Sequence, residues 1–257
     1  MSLSILYSCE KTDDPGLQVD FHLEEFLSNS SGLEATITIN GNDLDCKKVG
    51  DLYIFQGDIV FTEDKVQKNS RLKGVGTTTA AKYWEFKTVY YTIEAGFPNE
   101  ERIHSAIEHW EEYTDLSFIE RTNEPNYIEF IESTKGTGSL LGMVGGKQNI
   151  WVADWASAGN LIHEIGHAIG LYHEHSKPNR DDFILIHPEN IVSEFKRNFQ
   201  VLDRAIFTEG FDFNSIMLYP SMGGSKNENP TITKIDGSLF DAQRDYSHSE
   251  KRSNAIK

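Results

Sequence analysis

Cysteine is almost absent. The 257 residues hold two, Cys9 and Cys46. Any disulfide would have to join that pair, so the fold is no disulfide scaffold. Basic charge is also short: lysine and arginine number 24 against 40 acidic residues, a formal net charge of −16. That balance excludes the basic face a nucleic acid needs and does not favour anionic lipid; its plain consequence is solubility. Long apolar runs are missing too. No stretch of 18 apolar residues exists, so no segment is expected to span a membrane. The glycine-rich stretch 136–146 lacks the lysine and following Ser/Thr of a phosphate loop. A chain of this length forms one large domain or two small ones, with a sizeable core. A monomer is expected.

What is present centres on thirteen residues, His-Glu-Ile-Gly-His-Ala-Ile-Gly-Leu-Tyr-His-Glu-His, from His163 to His175. His163 and His167 are four apart, so on a helix both imidazoles leave one face about 6 Å apart along the axis. Glu164 sits beside the first and can reach a metal-held water without ligating the metal. Gly170 can take positive φ, ending the helix and turning the chain back to bring His173 in as a third ligand. Three neutral imidazoles leave a tetrahedral zinc one open position, the catalytic arrangement. An amphipathic helix with incidental histidines would explain Leu161, Ile162, Ile165, Ala168 and Ile169, but not the histidine spacing. His104 and His109 share no such spacing and read as surface or packing residues. The extended pattern is the metzincin signature.

Three further stretches carry a family resemblance. His173-Glu174-His175 followed by Lys177-Pro178-Asn179-Arg180-Asp181 resembles the astacin branch of the metzincins. Ser215-Ile216-Met217-Leu218-Tyr219 is similar to that family's Met-turn, with Leu218 where histidine is usual. Phe55-Gln56-Gly57-Asp58 is similar to the Phe-x-Gly-Asp motif of astacin propeptides, against the plainer reading of a hairpin turn. Cysteines that animal astacins carry at positions matching Asp115, Thr137 and Trp155 are absent, which suggests a bacterial member stabilised by packing.

The resemblance implies an organisation. Residues 1–9 are a signal remnant or tail. Leu6-Tyr7-Ser8-Cys9 resembles the end of a bacterial lipoprotein signal, and an incidental cysteine in a disordered tail stands beside that reading. Residues 10–74 would be a propeptide, 75–257 the catalytic domain, and Trp84 the tryptophan before the first catalytic strand. The linker between them shifts in composition, with Lys65, Lys68, Arg71, Lys73, Gly74 and Gly76, which places an activation cut near 71–76. A secreted or cell-surface protein is expected.

The expected fold is α+β. A twisted five-stranded mixed sheet and two long helices would lie above a cleft, with an irregular lower subdomain after Gly170 and a small propeptide in front. Alternating or apolar runs predict strands over 32–40, 52–55, 59–61, 89–93, 127–131 and 148–152. Asn40-Gly41 marks a turn and 13–16 a turn or linker. Asn99 is expected to cap a helix carrying Ile103, Ile107, Trp110 and Thr114 on one face. The residues 139–142 would form the edge strand that holds a peptide substrate, and 245–257 the polar start of a closing helix.

The function implied is zinc-dependent hydrolysis of peptide bonds in protein or peptide substrates, by a chain made latent. Zinc would sit on His163, His167 and His173, with Glu164 as base, Tyr219 stabilising the oxyanion and Met217 as a platform beneath the metal. Asp58 would close the fourth position in the latent chain, with Cys46 as a rival ligand. The competing class is a zinc-containing binding protein without catalysis. A structural zinc domain would prefer cysteines.

Overall fold

The computed structural model describes residues 26–27, 30–64, 66, 83–207 and 210–241. Cys9, the turn at 13–16, the linker at 71–76 and the stretch 245–257 lie outside them. Nine strands form one sheet. β1 (Leu33–Ile39), β2 (Asn42–Val49), β3 (Leu52–Phe55) and β4 (Ile59–Thr62) make an antiparallel meander. β5 (Thr88–Ile93), β6 (Ser117–Glu120), β7 (Tyr127–Glu132), β8 (Gly138–Leu140) and β9 (Lys147–Val152) make the other half, in spatial order β8-β9-β7-β5-β6. The number matches the five strands expected, although β6 answers to no stretch read as a strand; they are mostly parallel, with β8 antiparallel to β9.

The two halves join where β4 pairs with β8 in parallel, Ile59 opposite Ser139 and Val60 opposite Leu140. The expected substrate-holding edge is therefore not an edge here. Leu141 and Gly142 fall outside the strand, and the Gly142 N–H is instead drawn to the His167 carbonyl (2.8 Å).

Period-two burial places the sheet against two helices. Val89 and Tyr91 on β5, Ile128 and Phe130 on β7, and Ile150 and Val152 on β9 all turn to one core. Into it α1 (Glu101–Tyr113) packs Ile103, Ala106, Ile107 and Trp110, at the spacing of one helical face. The helix α2 (Ala158–Ala168) is buried from Gly159 to its end. Two indole N–H groups tie it down: Trp110 donates to the Ile162 carbonyl (3.0 Å) and Trp84 to the Ala168 carbonyl (3.0 Å). After α2 the described residues are irregular. They hold 3-10 turns and one two-stranded ribbon, β10 (Ile184–Ile186) with β11 (Ile232–Lys234).

Asn99 does not cap α1. It lies at φ 53, and Glu100 holds the cap position without a side-chain bond to the helix. Asparagine tolerates the left-handed region, and here it turns the chain after Pro98 instead. Strands β6, β10 and β11 are too short or too exposed to announce themselves by alternation. Where family cysteines are missing, the Thr137 hydroxyl accepts from the Ala153 N–H (3.3 Å), Asp115 pairs with Lys87 (2.7 Å), and Trp155 is exposed.

The meander's core is not its own. Ile37, Ile39, Leu44, Cys46, Phe55, Ile59 and Phe61 pack with Leu141 and Leu202 from the second half, flanked by Tyr172, Ala205 and Phe207. On the other face Phe26 lies on Trp151, ring centroids 4.7 Å apart, and its N–H donates to the Gly57 carbonyl (2.8 Å). Gly138 is a point of close approach between the halves. A Cβ there would lie 2.9 Å from the Asp58 carbonyl oxygen and 2.9 Å from the Phe26 Cβ. Gly138→Ala is therefore expected to destabilise the full chain by about 1–3 kcal/mol in a urea titration. An unchanged midpoint would show that the junction is looser than described.

Candidate metal centre

The site begins with how α2 is started and stopped. Ser157 caps its first turn, taking the Asn160 N–H on its hydroxyl (3.3 Å) while the Asn160 side chain accepts from the Ser157 N–H (2.7 Å). At the other end Gly170 sits at φ 111. The Leu171 N–H reaches back to the Gly166 carbonyl (2.9 Å) and the Gly170 N–H to the His167 carbonyl (2.9 Å). This is the paired bonding of a Schellman turn, which needs a residue at positive φ. The turn does two things: it sends the chain back to His173, and it aims the Leu171 carbonyl at the His167 ring.

Each imidazole is then fixed through its Nδ1. His167 Nδ1 donates to the Leu171 carbonyl (2.7 Å) and His163 Nδ1 to the Ile216 carbonyl (2.7 Å). His173 Nδ1 donates to Gln56 Oε1 (3.0 Å). A carbonyl only accepts, so Nδ1 carries the proton and every Nε2 presents a lone pair. The three Nε2 atoms converge: His163 to His167 is 3.1 Å and His163 to His173 is 3.3 Å. Two acceptors at that distance are not hydrogen-bonded. They are arranged for a shared cation.

Asp58 supplies the fourth donor. It follows a tight turn with Gln56 at φ 50 and Gly57 at φ 90, so the sharp bend falls on one strained residue and one glycine. Asp58 Oδ2 lies 3.2 Å from His163 Nε2 and 3.3 Å from His173 Nε2, and Oδ1 3.5 Å from His167 Nε2. A tetrahedral zinc with ligands at about 2.0–2.1 Å would space its donors about 3.3 Å apart. The observed separations fit that figure. Asp58 Oδ1 is buried and receives no hydrogen bond, a cost that a cation removes. The residues present fit zinc.

The other expected residues gather around this point. Glu164, fully buried, follows His163 on α2. Met217 lies against the same helix, and a Cβ on Gly166 would come within 2.5 Å of its sulfur. The Tyr219 ring packs on His173 (4.7 Å between centroids) and His175 (4.2 Å), and its hydroxyl donates to the Gln56 carbonyl. Cys46 is elsewhere. It is buried in the meander core with its thiol directed to the Leu44 carbonyl (3.6 Å), and it is not among the four residues of the metal group. His104 and His109 lie on α1; the His109 ring packs at a tilt against Tyr113 (4.9 Å between centroids).

The sequence assigned the supporting residues no role, although Gln56 and His175 stand within its motifs. Gln56, His175, Ser176, Asn198 and Gln200 are involved, and their partners are largely backbone carbonyls. His175 donates from Nε2 to the Asn198 carbonyl (2.9 Å), and burial keeps its pKa well below the ordinary value. Arg180 clamps the lower loop by bonding the His175 and Phe199 carbonyls (2.9 and 2.5 Å).

Comparison with known proteins agrees with this geometry. The family profile described as Astacin, a peptidase family, matches residues 76–249. Protein SpAN of Strongylocentrotus purpuratus is 35% identical over 207 residues, covering 72% of this chain and 33% of that protein. Flavastacin of Elizabethkingia meningoseptica is 30% identical over 207 residues, covering 73% of this chain and 46% of that protein. The chain thus spans between a third and a half of the length of these relatives. Among solved structures, the hatching enzyme zinc-protease High choriolytic enzyme 1 of Oryzias latipes superposes with a TM-score of 0.60 at 27% identity, covering 68% of this chain and 90% of that one.

Two outcomes follow from the geometry. The full chain is expected to hold one zinc, counted by mass spectrometry of the metal after gel filtration; His167→Ala should weaken binding more than Asp58→Ala, which keeps three imidazoles. Loss of zinc in Asp58→Ala alone would contradict the ligand set. Burial, with Asp45 adding to it, pushes the Cys46 thiol up to about 12. The reactive thiolate is therefore scarce at mildly alkaline pH. An alkylating reagent should label Cys46 only after denaturation.

Proposed function

The chain belongs to the astacin family, whose peptidases use zinc, and we propose from that premise that it is a zinc-dependent endopeptidase held latent by its own N-terminal strands. The observation that carries this is the convergence of three Nδ1-anchored imidazoles and one carboxylate on a single buried point, the carboxylate coming from outside the matched residues. Residues 10–74 are then the prosegment and 75–257 the catalytic part, with the cut near 71–76. The profile match beginning at residue 76 supports that division.

While Asp58 is in place, water and substrate have no access to the fourth position. The meander's shared core and its hydrogen bonds across the junction hold it there. The Asp45 N–H donates to Gln200 Oε1 (3.0 Å), Gln200 Nε2 to the Asp43 carbonyl (2.6 Å), and the Arg204 N–H to Asn42 Oδ1 (2.9 Å). Cutting the linker removes the covalent tie, and departure of the meander opens the cleft and uncovers the free edge of β8 for a peptide.

When bound, zinc supplies Lewis-acid polarisation of the scissile carbonyl and a lowered pKa for the attacking water. His163, His167 and His173 orient it through their fixed tautomers. Glu164 takes the proton from the attacking water and passes it to the leaving amine. Tyr219 now donates to a peptide carbonyl of the prosegment, that of Gln56. Once that carbonyl leaves, the hydroxyl is available to the developing oxyanion of a substrate. Met217 supports α2 between the two histidines it carries. Substrates are proteins or peptides. Among the described residues no helix is long and apolar enough to cross a membrane. The proposed place of action is outside the cell, secreted or at its surface, with the resemblance of Leu6-Tyr7-Ser8-Cys9 to a lipoprotein signal in support.

A fluorogenic-peptide assay of uncut and linker-cut chains tests the reading. The uncut wild type should be silent, the linker-cut wild type active, and uncut Asp58→Ala above the uncut wild type but below the linker-cut chain, since β4 still covers β8. Linker-cut Glu164→Ala should keep zinc and lose about a thousandfold or more in kcat. Tyr219→Phe should lower kcat about ten- to a thousandfold with KM nearly unchanged. An active uncut wild type would end the latency reading, and a Glu164→Ala chain at wild-type rates would remove Glu164 as base.

A further inference from the structure

Gln56 occupies a costly conformation. Its φ of 50 lies in the left-handed region, which a side chain other than Gly, Asn or Asp seldom adopts. Its side chain is nonetheless fully buried, and what it gains there is an unusually complete set of bonds. Oε1 accepts from Ser176 Oγ (2.9 Å) and from His173 Nδ1 (3.0 Å). Nε2 donates to the Gln200 carbonyl (3.0 Å). Two donors and one acceptor thus read the two ends of one amide. A carboxylate would satisfy Ser176 and His173 but set an oxygen against the Gln200 carbonyl. An alkyl or thioether chain would leave all three groups unpaired, at a cost of about 1–3 kcal/mol each.

The three groups of the pocket lie outside the meander, although the Gln200 side chain also bonds the meander's Asp43 and Asp45. They come from residues 173, 176 and 200, all beyond the proposed cut. They are held to one another by their own segment: the Ser176 N–H bonds the His173 carbonyl (3.0 Å), the Leu202 N–H the Ser176 carbonyl (2.9 Å), the Gln200 N–H the Arg197 carbonyl (3.3 Å), and Arg180 the Phe199 carbonyl. When Gln56 leaves, the pocket's polar groups remain and need new partners. The pocket also lies one imidazole from the metal position, because His173 turns Nε2 to the centre and Nδ1 to the pocket.

We propose that this pocket is a carboxamide subsite. Gln56 fills it in the latent chain, and the side chain of a substrate glutamine near the scissile bond fills it after the meander has gone. The second half rests on the peptidase reading above; the amide selectivity of the pocket does not. A site that hydrogen-bonds a side chain at both ends discriminates strongly against analogues that lack one, so glutamine should be set apart from glutamate and methionine.

The test has two arms. In the uncut chain, Gln56→Ala leaves a hole of acetamide size. Acetamide should raise the Tm of that variant by about 2–4 °C, acetate should not, and neither should act on the wild type or on Gln56→Ala combined with Ser176→Ala. In the second arm, linker-cut wild type digests a random peptide library and the cut sites are mapped. Glutamine should be enriched about tenfold at one fixed position, and the enrichment should fall in Ser176→Ala. This arm needs no Gln56 variant and stands if Gln56→Ala fails to fold. Equal stabilisation by acetate, or none by acetamide in a folded Gln56→Ala chain, overturns the amide pocket. Cleavage without glutamine preference at any position overturns the substrate subsite. No cleavage by any linker-cut chain overturns the peptidase reading instead, and the acetamide arm alone then decides what the pocket recognises.

Discussion

Three imidazole nitrogens and one carboxylate, all bearing lone pairs and separated by 3.1–3.5 Å, face each other in a space that water does not reach. Alone, that arrangement is repulsive, because nothing screens it at such depth. A divalent cation reverses the sign. Much of the surrounding structure serves to bring these four atoms together: the Schellman turn at Gly170, the Met-turn segment whose Ile216 carbonyl orients His163, and the two tryptophans that fix α2. The carboxylate is the one donor that reaches the centre from the N-terminal half.

That separation would give the proposed latency a physical form. The meander contributes a ligand, most of a shared apolar core and four strands of a nine-stranded sheet. Its hold on the cleft is spread over many weak contacts, any of which a mutation loosens by a fraction of the whole. Its hold on the metal is a single carboxylate. The same turn that delivers Asp58 also delivers Gln56, whose carbonyl occupies the Tyr219 hydroxyl and whose side chain occupies the Ser176 and Gln200 groups. One three-residue bend thus meets the ligand position, the proposed oxyanion donor and a side-chain pocket together.

The zinc motif was legible because its function imposes residue types at set spacings: His163, His167 and His173 through their metal-binding nitrogens, Gly170 through its positive φ. The Phe55-Gln56-Gly57-Asp58 stretch was legible only by resemblance, since taken alone it reads as a hairpin turn. Strands over 89–93, 127–131 and 148–152 were legible in the sequence to within a residue at one end, whereas β6 shows one buried residue in four and offers no period. Asn99 misled because a good cap residue is also a good left-handed one. Partners such as the Leu171, Ile216 and Gln200 carbonyls carry no side-chain signature, so what orients the imidazoles and reads Gln56 could be seen only in the fold. The continuation of the catalytic sheet into the meander was hidden for the same reason: parallel pairing of β4 with β8 is a backbone event.

The most direct measurement is a crystal structure of the uncut, zinc-loaded chain with diffraction data at the zinc absorption edge. One anomalous peak is expected, at about 2.0–2.2 Å from Nε2 of His163, His167 and His173 and from one oxygen of Asp58. A zinc held by the three histidines and a water, with Asp58 turned away, would contradict the proposed lock; a zinc found elsewhere would contradict the centre itself.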